Sequence, residues 1–197
     1  MSWIQEIEVS EADGKLADMY AQLLKQRGKI ANILKVQSLN PAALGNHVDL
    51  YMTLMFGNSG LSRLEREAVA VVVSANNECE YCVNHHSEAL RHFLDDEEIL
   101  NMLATADGLE TLEPRLSNIV RHAEKLTSAP GAMTESDLDE LRVEGLSDKD
   151  ILDLEDPRFA DLVDVDQLRA EQLGAAFQNR FLDSLRIENL PFQVGNN

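Results

Sequence analysis

The stretch from Leu61 to Glu78, LSRLEREAVAVVVSANNE, constrains the fold more than any other part of the chain. Ser62 followed three residues later by Glu65 is a capping box, the signature of a helix N-terminus. Behind it runs the longest uninterrupted apolar segment of the sequence, Ala68 to Val73. The β-branched trio Val71-Val72-Val73 favours a strand. No alternating partner strand or hairpin turn lies nearby, however, and an apolar run behind a capping box is what a fully buried helix looks like. The segment therefore reads as an interior helix.

Helical periodicity recurs along most of the chain. Leu16, Met19, Tyr20, Leu23 and Leu24 form one apolar stripe, with Ser10 as its N-cap and Gly28 as its terminator. Asn40-Pro41 places a cap ahead of a proline at the first helical position, and Leu44, Val48, Tyr51, Met52 and Met55 carry the stripe to Gly57. Further helices are expected over Cys79 to Phe93, Asp95 to Ala106 and Glu113 to Thr127. After the break Ala129-Pro130-Gly131, Thr134 and Ser147 cap two short helices separated by Gly145. A final helix is expected from Asp166 to about Arg186, with Leu168, Phe177, Phe181 and Leu185 on its apolar side. The fold class is all-α, a multi-helix bundle, and 197 residues suit one domain spanning 1–197.

Charge narrows the partners. Seventeen Lys and Arg against 35 Asp and Glu give a formal net charge of −18, which repels phosphate backbones and anionic lipid headgroups. Over half of that excess lies between Met133 and Asp166, where 13 acids face three basic residues. This acidic C-terminal region, 133–197, reads as a solvated face, with a docking surface as the alternative. Ala68 to Val73 falls far short of the roughly 20 residues that span a bilayer. The start, MSWIQEIEVSEADGK, has no basic segment ahead of an apolar one, so a cytoplasmic location is expected. In a reducing compartment two cysteines point to catalysis or metal binding rather than a structural bridge.

Both cysteines and two of the five histidines fall within eight residues, Cys79-Glu80-Tyr81-Cys82-Val83-Asn84-His85-His86. On a helix, Cys79, Cys82 and His86 occupy one face of two turns, so the imidazole can approach the Cys82 sulfur. Helical positions three apart have Cα atoms roughly 5 to 5.5 Å apart, inside the window a disulfide tolerates. The pair could thus cycle between dithiol and disulfide with little backbone motion. A helix N-terminus and a nearby imidazole favour a thiolate, while Glu67, Glu78, Glu80 and the net charge oppose it. Zinc is a rival, but a fourth ligand and a second Cys/His pair are lacking, so no metal is expected. A c-type haem needs histidine where Val83 stands, and a thioredoxin-like motif needs a βαβ context. Two buried cysteines of no chemical consequence remain an alternative. His47, His92 and His122 sit singly on helices and read as surface or packing residues.

These residues resemble the AhpD-like alkylhydroperoxidase branch of the carboxymuconolactone decarboxylase superfamily, in particular its peroxidase-related members. The resemblance rests on Asn40-Pro41, on Leu61 to Leu90, and on a glutamate twelve residues ahead of C-x-x-C-x-x-x-H, met by Glu67, Cys79, Cys82 and His86. It covers a motif core of about 30–106 and fades after Gly145. Tyr81 stands where the archetype has a histidine between its cysteines, and His85, beside His86, is a candidate to replace it; Tyr81 and His85 are thus the possible extra relay positions.

The resemblance implies an AhpD-like bundle and a thiol peroxidase acting on alkyl hydroperoxides or hydrogen peroxide. Cys82 would be the peroxidatic nucleophile and Cys79 the resolving thiol, with Glu67 and His86 relaying protons. No cofactor beyond the Cys79-Cys82 pair is implied. The implied partner is a dithiol electron donor of lipoyl or thioredoxin type, and a homo-oligomer is expected. The alternatives are a lyase or decarboxylase on the same fold, whose name-giving members lack the cysteine pair, and a non-enzymatic redox-sensing oligomer.

Overall fold

The computed structural model describes residues 4–155, and among them every regular element is helical. The order is α1 (Gly14–Arg27), α2 (Asn32–Lys35), α3 (Pro41–Phe56), α4 (Arg63–Asn76), α5 (Glu80–Leu90), α6 (Glu97–Thr105), α7 (Pro114–Ser128), α8 (Glu135–Val143) and α9 (Asp148–Glu155), with short 3-10 turns at Leu109–Thr111 and Pro130–Ala132. The expected final helix at Asp166 to Arg186 lies outside the described residues.

Helix α4 is the axis of the bundle, packed against α3, α5, α6 and α7. Ser62 accepts from the Glu65 N–H while the Glu65 carboxylate accepts from the Ser62 N–H, so the capping box is fully formed. Every residue from Glu65 to Ser74 is buried. Valine costs a few tenths of a kcal/mol in helix propensity, whereas burying its side chain contributes about 1.5 kcal/mol or more. Burial therefore decides the conformation of Val71-Val72-Val73.

Two apolar clusters flank this axis. One side of α4 (Val69, Val73) meets Leu54 and Met55 of α3, Ile119 and Ala123 of α7, Leu141 of α8, and Ile151 and Leu154 of α9. The other side (Ala68, Val71, Val72) meets Leu90, Leu100, Leu103, Leu116 and Val120. A third cluster joins α1 and α2 to α3 through Leu16, Tyr20, Leu23, Leu34 and Leu44.

The expected helix starts hold in most places. Asn40 accepts from the Ala43 N–H with Pro41 behind it, and Asp96 accepts from the N–H groups of Glu98 and Ile99. The cap of α1 is a correction: the helix begins at Gly14 after Asp13, and Ser10 lies in a preceding turn. Leu24, counted in the apolar stripe of α1, is exposed. Gly28 ends α1 in the left-handed conformation, its N–H bonded to Leu24 O, a geometry glycine adopts without steric cost.

Part of the acidic region serves as helix caps. Asp150 accepts from the N–H and hydroxyl of Ser147 and, across the fold, from the Gly60 N–H and the Ser59 hydroxyl. Asp137 accepts from the N–H and hydroxyl of Thr134 and from Lys125 Nζ at 2.6 Å. Among the described residues no helix is long and apolar enough to cross a membrane.

Candidate active site

The link between α4 and α5 positions the cysteines. Helix α4 closes with a Schellman motif: Cys79 N–H bonds to Ser74 O and Glu78 N–H to Ala75 O. Glu78 occupies its left-handed position at φ 56°, where glycine is the usual residue. The chain reverses at once, and Cys79 becomes the N-cap of α5, its carbonyl accepting from the N–H groups of Cys82 and Val83. Cys82 thus sits in the first turn of α5, whose unpaired N–H groups and dipole favour negative charge. Helix α5 spans Glu80–Leu90, shorter at both ends than the expected Cys79 to Phe93.

Cys79 and Cys82 are both 2 % exposed and are joined as a disulfide, with Cα atoms 5.4 Å apart, within the separation that helical spacing implies. One turn further, His86 points back to α4. Its Nδ1 lies 2.7 Å from Glu67 Oε2. The other oxygen of Glu67 accepts from Arg63 Nη2, and Arg63 Nη1 also donates to Met55 O while its guanidinium lies over the Phe56 ring at 3.9 Å. Glu67 is 1 % exposed. A lone carboxylate at that depth would be costly, and here each oxygen has a cationic or ionisable donor. Burial pushes the Glu67 carboxyl up, but the hydrogen bond and charge of His86, with Arg63, outweigh it and hold the group below its ordinary value.

His86 and Cys82 line one cavity between α2, α3 and α5. Cys79 is not among its lining residues, so the two cysteines are placed differently: Cys82 lines the cavity and Cys79 does not. Ala31, Ile33, Leu34 and Val48 give the cavity an apolar wall. Its solvent side is formed by His85 and the exposed Tyr81, whose rings stack with centroids 6.2 Å apart and planes 6° from parallel. His85 meets the His86 ring edge-on at 5.6 Å. Partial removal from water, followed by the neighbouring His86, holds His85 below its ordinary value. The four motif residues Glu67, Cys79, Cys82 and His86 are therefore brought together, with His85 and Tyr81 at their outer edge.

The sequence did not single out His47, which lines the same cavity from α3. It was assigned to surface or packing because nothing within its own helix marks it. Its neighbours in the apolar stripe, Leu44, Val48 and Tyr51, were the available signal that this face of α3 points inward. Arg63 was missed too, although its position one turn ahead of Glu67 suits an i, i+4 pair. Among the described residues, no group of three or more His, Cys, Asp or Glu side chains is placed to hold a metal ion.

Comparison with known proteins agrees with this architecture. Residues 41–124 match the Carboxymuconolactone decarboxylase family. The crystal structure of an uncharacterized peroxidase-related protein from Silicibacter sp. TM1040 superposes with a TM-score of 0.67 at 27% identity, covering 97% of this chain and 96% of that one. A second peroxidase-related protein, an alkylhydroperoxidase AhpD core from Ralstonia eutropha JMP134, gives 0.71 at 21% identity over 96% and 93% of the two chains. The debrominase Bmp8 shares the fold at 13% identity, with a TM-score of 0.64 over 97% and 94%. No curated protein matches the sequence. The fold and its paired cysteines define an all-α protein of the AhpD-like type. Its segment 41–124 is similar to the carboxymuconolactone decarboxylase family, and its fold is the one seen in the peroxidase-related and AhpD-core structures.

Proposed function

We propose that the protein is a thiol-dependent peroxidase that reduces alkyl hydroperoxides or hydrogen peroxide through a Cys79-Cys82 dithiol/disulfide cycle. The observation that carries this reading is the different placement of the two cysteines. Cys82 lines a cavity shared with His86, Cys79 is bonded to it but does not line the cavity, and His86 is anchored on buried Glu67.

In the reduced protein His86, held by Glu67, takes the proton from the Cys82 thiol. The thiolate attacks the terminal oxygen of the hydroperoxide. A sulfur–oxygen bond forms, the O–O bond breaks, and the departing alkoxide receives the proton from His86 as an alcohol. Cys82 is then a sulfenic acid. Cys79 attacks the Cys82 sulfur, the S–S bond forms, and hydroxide leaves, taking the Cys79 proton as water. The sum is ROOH and two thiols giving ROH, water and one disulfide. Two electrons and two protons must then come from a dithiol carrier of lipoyl or thioredoxin type by exchange at the disulfide. His85 and Tyr81, on the solvent side of the cavity, are suited to pass protons to water. The reading needs no cofactor and no metal. It includes a cytoplasmic homo-oligomer, for which the exposed Leu39 and Phe93 offer apolar surface.

The test is intact-mass analysis of the fully reduced protein after one equivalent of cumene hydroperoxide, beside Cys82→Ser. Rapid loss of two hydrogen masses in the wild type and none in the variant is the expected result. Thiols that stay reduced would overturn the proposal and favour a lyase on the same fold. Disulfide formation without turnover by a dithiol reductant would favour a redox sensor.

A further inference from the structure

His47 and Gln37 form a pair whose hydrogen bonding fixes where the histidine proton sits. Gln37 Nε2 lies 3.0 Å from Ile33 O and 3.1 Å from His47 Nδ1. A carbonyl oxygen only accepts, so the amide atom beside Ile33 is the NH2 group. That nitrogen has two hydrogens and gives one to each neighbour. His47 Nδ1 is then an acceptor, and in the neutral ring the proton lies on Nε2. Burial acts the same way, holding His47 below its ordinary value and thus neutral near pH 7. No described residue accepts a hydrogen bond from His47 Nε2. The ring belongs to the wall of the cavity that also contains Cys82 and His86. Around it the wall is apolar, with Ile33, Leu34 and Val48, so an N–H there is open to an oxygen of a molecule bound in the cavity.

We infer that His47 is a substrate-orienting residue, a neutral imidazole locked by Gln37 that offers its Nε2–H to an oxygen of the molecule seated against Cys82. The inference rests on the peroxidase reading for the identity of that molecule, a hydroperoxide with an apolar body. His86 handles the thiol proton; His47 transfers none and fixes the orientation of the O–O bond. A neutral donor can serve oxygen of an uncharged hydroperoxide without attracting anions into the site.

Two measurements test this, one without turnover. In the disulfide form, nitrogen-15 NMR of the histidine rings should show His47 with Nε2 protonated and Nδ1 bare. Cumyl alcohol, an unreactive stand-in for a hydroperoxide, should shift the Nε2–H resonance. An Nδ1-protonated ring, or no response to the alcohol, overturns the inference. In the reduced protein, the rate of disulfide formation with cumene hydroperoxide should fall about tenfold in His47→Leu, the scale of one lost hydrogen bond. His47→Gln, which keeps a donor, should recover part of the loss. Gln37→Glu, which draws the proton to Nδ1 without removing the ring, should lose about as much as His47→Leu. Alkylation of Cys82 by iodoacetamide should stay within about twofold in all three, since the thiol itself is untouched. A wild-type rate in His47→Leu, or a parallel loss of alkylation, overturns the inference and leaves the peroxidase reading intact. If the wild type is not oxidised at all, the peroxidase reading fails, and the cumyl alcohol response alone decides whether His47 is a donor to bound oxygen.

Discussion

Glu67 of α4 and His86 of α5 are hydrogen-bonded at 2.7 Å across 19 residues of sequence, with both side chains buried. A carboxylate behind an imidazole fixes the tautomer and the orientation of the ring. The pair thus sits one step removed from Cys82, where a proton acceptor is needed.

Replacing that carboxylate should therefore slow chemistry while the disulfide frame persists. Glu67→Gln is expected to lower the rate of hydroperoxide-dependent disulfide formation by about a hundredfold, the lower end for a positioned acid–base group. Stopped-flow intrinsic fluorescence or quenched intact mass would read the rate.

The same residue should make the protein acid-sensitive. The folded-state value of Glu67 lies below its ordinary value of 4.5, so ionised Glu67 favours the folded state above that range. This contribution is lost as pH falls through the lowered folded value. The urea midpoint of the wild type should drop below about pH 4.5 more steeply than that of Glu67→Gln.

The two cysteines should fail in different ways. In Cys79→Ser the peroxide step proceeds and a sulfenic acid accumulates on Cys82, trapped by dimedone. In Cys82→Ser no dimedone adduct forms, because the remaining cysteine does not line the cavity. Equal labelling of both variants would contradict the different placement of the cysteines.

Left-handed positions occupied by residues other than glycine are sites of stored backbone strain. Glu78 (φ 56°) and Ala106 (φ 52°) both occupy them at the ends of helices. Ala106→Gly is expected to stabilise the fold by about 0.5 to 1 kcal/mol, relief of strain outweighing the extra chain entropy of glycine. Glu78→Gly should gain similarly, and because it lies next to Cys79 it should also change the rate of disulfide reduction. Thermal unfolding and a reduction time course check the two.

Gly60 illustrates a close approach. A Cβ there would stand 2.6 Å from Asp150 Oδ2, and that carboxylate is held by Ser147, Ser59 and the Gly60 N–H itself. Those bonds, chiefly from Ser147, hold Asp150 well below the usual carboxylate range. Gly60→Ala should cost about 1 to 3 kcal/mol, with α9 displaced. A denaturant titration of this variant beside Asp150→Asn measures it.

Much of the molecule was legible locally. The capping box at Ser62 and Glu65, the Asn40-Pro41 start and the glycine stop at Gly28 depend on bonds between residues at most four apart, so sequence spacing carries them. The 5.4 Å separation of the two cysteine Cα atoms follows from the helical turn alone. The start of α1 misled because Ser10 and Asp13 are both competent caps, and the choice between them depends on where the preceding segment is tied. Its Ile7 N–H bonds to the Ser38 hydroxyl 31 residues away.

What the sequence by itself determined is therefore the helical class, most helix boundaries and the chemistry available at Cys79, Cys82 and His86. Only the tertiary structure decided which cysteine lines the cavity, that Glu67 is shared between Arg63 and His86, and that His47, held by Gln37, lines the same cavity. Hydrogen bonds within a turn are set by backbone geometry, whereas contacts between α3, α4 and α5 exist only once burial of the valine-rich axis has brought those helices together.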